Sequence, residues 1–332
     1  MRYLDRSRNQ QARAELTRRG FLRAATGTTV ALTAATLGGA ALATPAQAEG
    51  VGSRLIPPGK IGLQQWSIRD VVSSLGFRPV FEELSRMGYR HFEFFNYNSP
   101  AEPGQTLDQL RQLLDDNGLT AVGAHRSLGA FRGNLEQELD QAEILGLPFI
   151  GTANEPVSSA NRTVAGYKAV AQEFNAWGAA ANARGIRWYQ HNHQNEFRFA
   201  SDDPSVRLYD VMLAETDPSL VFFEMDIYWA FVGQHIAPGF EPAEYVKANP
   251  QRYPLFHAKD GERRPDLANG YNFTEFGAGD IDFAAFYREI GPNSRQHFSL
   301  WEQDNAPSTP AELGGSLGAA ERSYDAMYNL RG

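Results

Sequence analysis

The amino-acid sequence predicts an α/β fold, a single-domain (β/α)8 TIM barrel. Two observations carry this prediction: eight short apolar segments follow residue 60, and a helix-like or long connecting stretch separates each segment from the next. The barrel is predicted over residues 61–330, which is the usual length for this fold. A doubly wound open sheet is the alternative, because a count of strands does not show that a sheet closes.

The predicted strands are short runs of apolar and aromatic residues that turn polar at their ends. They are IGLQQW (61–66), HFEFF (91–95), TAVGAH (120–125), FIGTA (149–153), RWYQHNH (187–193), LVFFEMD (220–226), LFHAKD (255–260) and HFSLWEQD (297–304). Several helix-like stretches between them stop at a glycine, the residue that most readily takes the left-handed conformation after a helix. These glycines are Gly88, Gly118, Gly146 and Gly185.

The first 48 residues have the pattern of an export signal. The segment TRRGFLR (17–23) is a twin-arginine motif, and an apolar run of small residues (24–43) and the tripeptide AQA (46–48) follow it. We therefore predict a Tat signal peptide over residues 1–48 that is cleaved near Ala48, then a linker over 49–60. A membrane anchor is the alternative, but the run is short and rich in Ala, Thr and Gly, so no stable anchor is expected. The protein is predicted to be periplasmic or secreted.

Composition limits the kinds of partner and metal site. The formal net charge is −8, whereas proteins that bind nucleic acids need a basic surface for the phosphate backbone. No nucleic-acid partner is therefore expected. The chain has no cysteine, which excludes disulfides and thiolate metal sites. Any metal must therefore be held by nitrogen and oxygen ligands.

Polar side chains at the strand ends predict a site. Active sites of this fold lie at the carboxyl ends of the barrel strands, so residues there converge on one pocket. Asp226, His257 and Glu302 end the sixth, seventh and eighth predicted strands. Since neighbouring strands lie about 4.8 Å apart, these three side chains can meet on one ion. Two carboxylates and an imidazole suit Mn²⁺, Mg²⁺, Co²⁺ or Zn²⁺.

Five motifs, in order, resemble those of the sugar phosphate isomerase/epimerase family, the xylose-isomerase-like TIM barrels. They are GLQQWSIRD, YQHNHQNEF, FFEMDIYW, PLFHAKD and SLWEQD, and the resemblance covers about residues 61–330. It implies one divalent ion, with Mn²⁺ expected first and Zn²⁺, Co²⁺ or Mg²⁺ as alternatives. The ligands it implies are a residue at the end of the fifth strand, then Asp226, His257 and Glu302.

The fifth-strand ligand is where this sequence departs from the family. Relatives commonly have a glutamate there, whereas this chain has the triplet HNH (191–193). Either His191 is the fourth ligand, which we favour, or Glu196 takes that place.

Roles for the remaining residues follow from the predicted ion. A base must remove a carbon-bound proton next to a carbonyl, and Glu302 is the candidate; Lys259 or His193 is the candidate acid. Glu196 is a further catalytic candidate. Residues that could bind sugar hydroxyls or stack on a sugar are His125, Glu93, Asn192, Trp66 and Trp229.

The sequence therefore predicts an exported, metal-dependent sugar isomerase or epimerase that works through a metal-stabilised enediolate. In epimerases of the family that this chain resembles, two ligand glutamates face opposite sides of the substrate and share the proton transfer. His191 in place of one of them weakens the case for that mechanism here. A lyase or hydratase acting on keto-sugars is thus the first alternative, and a non-catalytic periplasmic sugar-binding barrel is the second. The expected partner is a small carbohydrate, and a homo-oligomer stays open.

Overall fold

The computed structural model describes residues 52–291 and 296–332. The predicted signal peptide lies outside these residues. The strands are β1 (Ile61–Gln64), β2 (His91–Phe94), β3 (Thr120–Ala124), β4 (Phe149–Thr152), β5 (Arg187–His191), β6 (Val221–Asp226), β7 (Leu255–Ala258), β8 (Asp260–Arg263), β9 (Tyr271–Thr274) and β10 (Phe298–Trp301). The helices are α1 (Arg69–Leu75), α2 (Phe77–Met87), α3 (Leu107–Asp116), α4 (Leu128–Leu145), α5 (Val164–Ala183), α6 (Leu208–Glu215), α7 (Ile227–Ile236), α8 (Pro242–Ala248), α9 (Phe283–Ile290) and α10 (Gly315–Asn329).

Eight parallel strands form the predicted barrel. Their order in the sheet is β3-β2-β1-β10-β7-β6-β5-β4. A parallel bridge between His125 and Gly151 joins the two outer strands, where the Arg126 amide donates to the Gly151 carbonyl at 2.7 Å. The sheet is therefore a nearly closed barrel, which confirms the TIM-barrel prediction over the doubly wound alternative.

The glycines that end the helix-like segments have the predicted conformation. Gly88 and Gly146 have φ angles of 107° and 67° directly after α2 and α4. Gly118 and Gly185, just beyond α3 and α5, have φ angles of 62° and 74°. Each of these glycines ends its helix shortly before the next strand begins.

The inside of the barrel changes from apolar to charged along the strands. A small buried cluster of Val122, Phe149, Tyr189, Leu255 and Leu300 is separate from the main core. Alternate residues of a strand share a face, so His257 and Lys259 follow Leu255 along the inner face. The small cluster is therefore an apolar plug inside the barrel, below the polar strand ends. The main core is separate and contains residues from both the strands and the helices.

The segment 260–279 contains an antiparallel hairpin of β8 and β9. The Asp260 carboxylate accepts hydrogen bonds from the backbone amides of Gly261, Gly277 and Gly279 at 2.7, 2.9 and 3.1 Å. This carboxylate ties the two ends of the segment together.

In the described part of the chain, none of the helices has the length and apolar character needed to span a bilayer.

Candidate metal centre and substrate pocket

Four predicted metal ligands lie together at the carboxyl end of the barrel. His191 ends β5, Asp226 ends β6, His257 lies on β7 and Glu302 follows β10. One ligating atom from each lies within 4.8 Å of the others. The Nε2 atom of His191 is 3.3 Å from Asp226 Oδ2, and Nδ1 of His257 is 2.7 Å from Glu302 Oε2. We call these four residues the outer group.

Neighbouring backbone atoms hold Asp226 in position. Its Oδ1 caps α7 by accepting a hydrogen bond from the Trp229 amide at 2.8 Å. The side chain of Asn192 donates to the Asp226 carbonyl at 3.1 Å and accepts from the Asp226 amide at 3.2 Å. These contacts leave the buried Oδ2 without a well-formed hydrogen bond. They also occupy both polar groups of Asn192, whose sugar-binding role stays a prediction.

Lys259 lies among three carboxylates at the same end of the barrel. Its Nζ is 3.1 Å from Asp226 Oδ2, 3.0 Å from Glu302 Oε2 and 3.1 Å from Asp304 Oδ1. Burial alone would lower the pKa of Lys259, but the three carboxylates outweigh it and raise that pKa well above its usual range. Burial opposes ionisation of Glu302 too, yet Lys259 and His257 lower its pKa. The lysine is therefore an ammonium and the glutamate a carboxylate at neutral pH.

The histidines of the site differ in charge. Burial, and then the charge of His257, lower the pKa of His191 well below its usual range, so its ring is neutral. For His257, burial is outweighed by Glu224, Glu302 and Glu93, which raise its pKa. Without a bound cation, His257 thus carries a proton that helps balance the buried carboxylates.

His193 and Glu196 lie outside the outer group. The half-buried His193 ring packs between His191 and Trp229, with ring centroids 4.9 and 5.5 Å away. Burial, and then the charge of Lys259, lower the pKa of His193 to about 4, so it is neutral. Glu196 turns back on its own loop, where Oε2 accepts from the His193 amide at 3.1 Å. Burial raises the pKa of Glu196 to about 8.

A second polar group lies next to the first. It consists of Glu93, His125, Glu224 and His257, whose ligating atoms again lie within 4.8 Å of one another. We call it the inner group. The sequence predicts sugar contacts for Glu93 and His125 but gives no role to Glu224, which lies two residues before Asp226 on the same face of β6. A charged residue in the apolar segment LVFFEMD was the available signal.

Aromatic side chains lie near the carboxyl ends of the strands. The half-buried Trp66 packs edge-on against the exposed Phe95, with ring centroids 4.7 Å apart. Nζ of Lys259 lies 5.5 Å from the ring of Trp229 and 5.7 Å from the ring of Phe273, on β9 of the hairpin. The hairpin thus brings an apolar ring beside the ammonium group.

The outer group has the donors that a divalent cation requires. It offers two imidazole nitrogens and two carboxylate oxygens, the set that Mn²⁺, Zn²⁺ and Co²⁺ accept. His191 is neutral, as a ligand must be, and His257 would release its proton when an ion binds. Asp226 Oδ2 is buried without a well-formed hydrogen bond. The residues therefore fit a metal ion. The ion's identity, and the choice of His191 over Glu196, stay predictions.

The sequence pattern of the family described as xylose isomerase-like TIM barrel matches residues 81–314. The match covers more than half of the 332 residues, and the chain belongs to this family. No curated protein sequence matches it significantly.

Solved structures share the fold. A sugar phosphate isomerase/epimerase from Parabacteroides distasonis ATCC 8503 is 22% identical, with a TM-score of 0.62 over 82% of this chain and 96% of that one. A probable 3-DHS dehydratase from Bacillus anthracis is 13% identical, with a TM-score of 0.61 over 81% and 99%. An IOLI protein with a bound zinc atom is 14% identical, with a TM-score of 0.60 over 82% and 99%.

Proposed function

We propose that the protein is a divalent-metal-dependent sugar isomerase or epimerase that moves a proton at the carbon next to a carbonyl group. The outer group carries this proposal, because it presents four ligating atoms within 4.8 Å at the end of the barrel where this fold has its active sites. A divalent ion held there would supply a Lewis acid for a carbonyl oxygen and a neighbouring hydroxyl. Mn²⁺ is our first choice, with Zn²⁺, Co²⁺ or Mg²⁺ as alternatives.

The side chains around the outer group suit proton transfer. Glu302 is ionised and is the proposed base. Lys259 holds Glu302 at 3.0 Å and is a donor for negative charge that develops on a substrate oxygen. The neutral, half-buried His193 is the proposed second proton carrier, because its partly exposed ring lies beside His191 of the outer group. Trp66, Trp229 and the hairpin ring of Phe273 would exclude water and stack on the sugar.

Elimination or hydration of a keto-sugar is the second candidate, and one contact favours it. Nζ of Lys259 lies 3.0 Å from Glu302 Oε2, so a base that takes the proton lies beside a cation that would stabilise the negative charge on a departing oxygen. An isomerase returns a product of the same mass, whereas an elimination releases water or a fragment. Mass spectrometry of the products separates the two.

The test of the proposed function combines metal content with proton exchange. The mature protein and its Asp226→Asn variant are purified without chelator and measured by elemental mass spectrometry. Both are then incubated with aldoses and keto-sugars in D₂O and followed by NMR. Asp266→Asn is the matched control, because Asp266 is an exposed aspartate of the hairpin turn that pairs with Arg264.

We expect bound metal and solvent deuterium next to the carbonyl for the wild type and the control, and a loss of both for Asp226→Asn. Turnover that persists in chelated protein would refute the metal-dependent mechanism. Metal binding without turnover of any sugar would favour the non-catalytic sugar-binding alternative.

Export is also part of the proposal, and it rests on the sequence of residues 1–48. The substrate would then be a sugar present outside the cytoplasm. The intact mass of the periplasmic protein tests this directly. A mass that corresponds to cleavage after Ala48 is expected, and a full-length cytoplasmic protein would contradict it.

A further inference from the structure

The inner group forms a closed ring of alternating carboxylates and imidazoles. Oε2 of Glu93 is 2.7 Å from Nε2 of His257, which is 3.2 Å from Oε1 of Glu224. Oε2 of Glu224 is 2.7 Å from Nε2 of His125, which is 3.4 Å from Oε1 of Glu93. Ligand atoms around one tetrahedral ion with bonds of 2.0–2.2 Å lie about 3.4 Å apart. Small movements of these four side chains would therefore place all of them on one ion.

The ring lies in the interior. The side chains of Glu93, Glu224 and His257 are fully buried, and that of His125 is 10% exposed. Among residues 52–291 and 296–332, no lysine or arginine forms an ion pair with either glutamate. Two buried carboxylates need two positive charges, because an uncompensated buried charge is very costly. One divalent cation, or two protons shared with the histidines, meets this need.

Two further observations point to a ligand. Oε1 of Glu224 is buried and accepts no well-formed hydrogen bond. Glu93 is held by groups outside the ring: Gln64 Nε2 donates to its Oε2 at 2.7 Å, and the Tyr189 hydroxyl donates to its Oε1. Metal-binding carboxylates are typically fixed in this way by neighbouring donors. The ring therefore combines an oriented carboxylate with a buried acceptor that has no well-formed hydrogen bond.

We propose that Glu93, His125, Glu224 and Nε2 of His257 form a second divalent-cation site. Nδ1 of the same ring faces Glu302, so with both sites filled the His257 ring would release its protons to solvent and bridge the two ions as an imidazolate. Two carboxylates and two imidazoles suit Zn²⁺, Co²⁺ or Mn²⁺. The inner ion would fix the orientation of His257, and this role does not depend on the reaction proposed for the outer group.

The experiment counts and locates the ions. Chelated protein is dialysed against Zn²⁺ and washed, and zinc per chain is measured by elemental mass spectrometry. We expect two ions in the wild type and in the Asp266→Asn control, and one in Glu224→Gln and in Asp226→Asn. One ion in the wild type that Glu224→Gln retains would overturn the proposal. One ion that Glu224→Gln loses and Asp226→Asn retains would support the inner site and refute the outer one.

A measurement on the unmodified protein covers the case in which Glu224→Gln does not fold. Anomalous scattering at the zinc edge, from a wild-type crystal grown with Zn²⁺, locates each ion without a variant. A peak between the carboxylates of Glu93 and Glu224 is expected. A single peak beside Asp226, with the inner ring vacant, would refute the second site.

Discussion

Replacing Lys259 by methionine tests the charge balance of the outer group. Methionine keeps the length and much of the volume of the side chain and removes its charge. Lys259 is 1% exposed and lies 3.0–3.1 Å from Asp226, Glu302 and Asp304, whose side chains are 0%, 8% and 27% exposed. The variant therefore leaves buried carboxylates without the ammonium that compensates them.

The structure gives the size of the expected effect. Removing one partner of a buried ion pair costs about 3–5 kcal/mol, because the remaining charge is left uncompensated. We apply this cost once, to the loss of the ammonium from its buried partners Asp226 and Glu302, and discount the contact with Asp304, which is partly screened by water. For a domain of this size, 1 kcal/mol corresponds to a shift of about 2–4 °C in the unfolding midpoint. In chelated protein, the midpoint should fall by about 6–20 °C.

The assay is thermal and denaturant unfolding followed by circular dichroism, first with EDTA and then with excess Mn²⁺. Lys247→Met is the control, because Lys247 also contacts two carboxylates, Glu244 at 2.6 Å and Glu289 at 3.3 Å, but lies on the surface. We expect little change for the control. For Lys259→Met, Mn²⁺ should recover part of the loss, since the ion supplies charge to the same oxygens. An equal, small effect of both variants in EDTA would refute the reasoning.

Three further predictions concern stability. Burial raises the pKa of Glu196 from its ordinary value near 4.5 to about 8 in the folded protein. The free energy of unfolding of the wild type should therefore decrease as the pH rises from about 4.5 to about 8. Glu196→Gln should gain stability relative to the wild type over that range, and parallel pH profiles of urea unfolding would contradict this. A Cβ at Gly151 would lie 2.1 Å from the Tyr189 carbonyl oxygen, so Gly151→Ala should cost about 1–3 kcal/mol in urea unfolding. Gly129→Ala, where the nearest atom is 3.7 Å away, should have little effect on stability. Equal costs for the two variants would show that the backbone at Gly151 can move away from the Tyr189 carbonyl oxygen. Asp260→Ala removes the acceptor for three backbone amides, so limited proteolysis should cut the hairpin faster than in Asp266→Ala, and equal rates would argue against that role.

The barrel could be predicted because its signals are local. All eight predicted strands occur, since each is an apolar segment bounded by a glycine or a polar end. Predicted boundaries were less accurate: β5 was expected to reach residue 193 but ends at His191, where the chain turns into the His193 to Glu196 loop. The pattern of alternating polarity does not mark the residue at which strand pairing stops.

Other features depend on contacts that a sequence does not display. The strands β8 and β9 were missed, because DGER and YNFT are short and mostly polar. The sugar-binding role of Glu93 stays a prediction, and the tertiary contacts that bury it are with Gln64, Tyr189 and His257. Its partners come from three other strands, so the sequence could indicate a functional glutamate but not the neighbours that determine its role.

Strand β7 shows why the site and the core depend on one another. Leu255, His257 and Lys259 point into the barrel in succession, so one short segment supplies a residue to the apolar plug, the shared imidazole and the ammonium beside Asp226. The register pairs His257 with Leu300 on β10 and with Asp226 on β6. A slip of one residue would turn all three side chains toward the helices and bury a lysine in the main core. The buried Leu255 and Leu300 therefore hold the register that places the charged residues. A substitution that weakens their packing should reduce the proposed metal binding, although neither residue is a ligand.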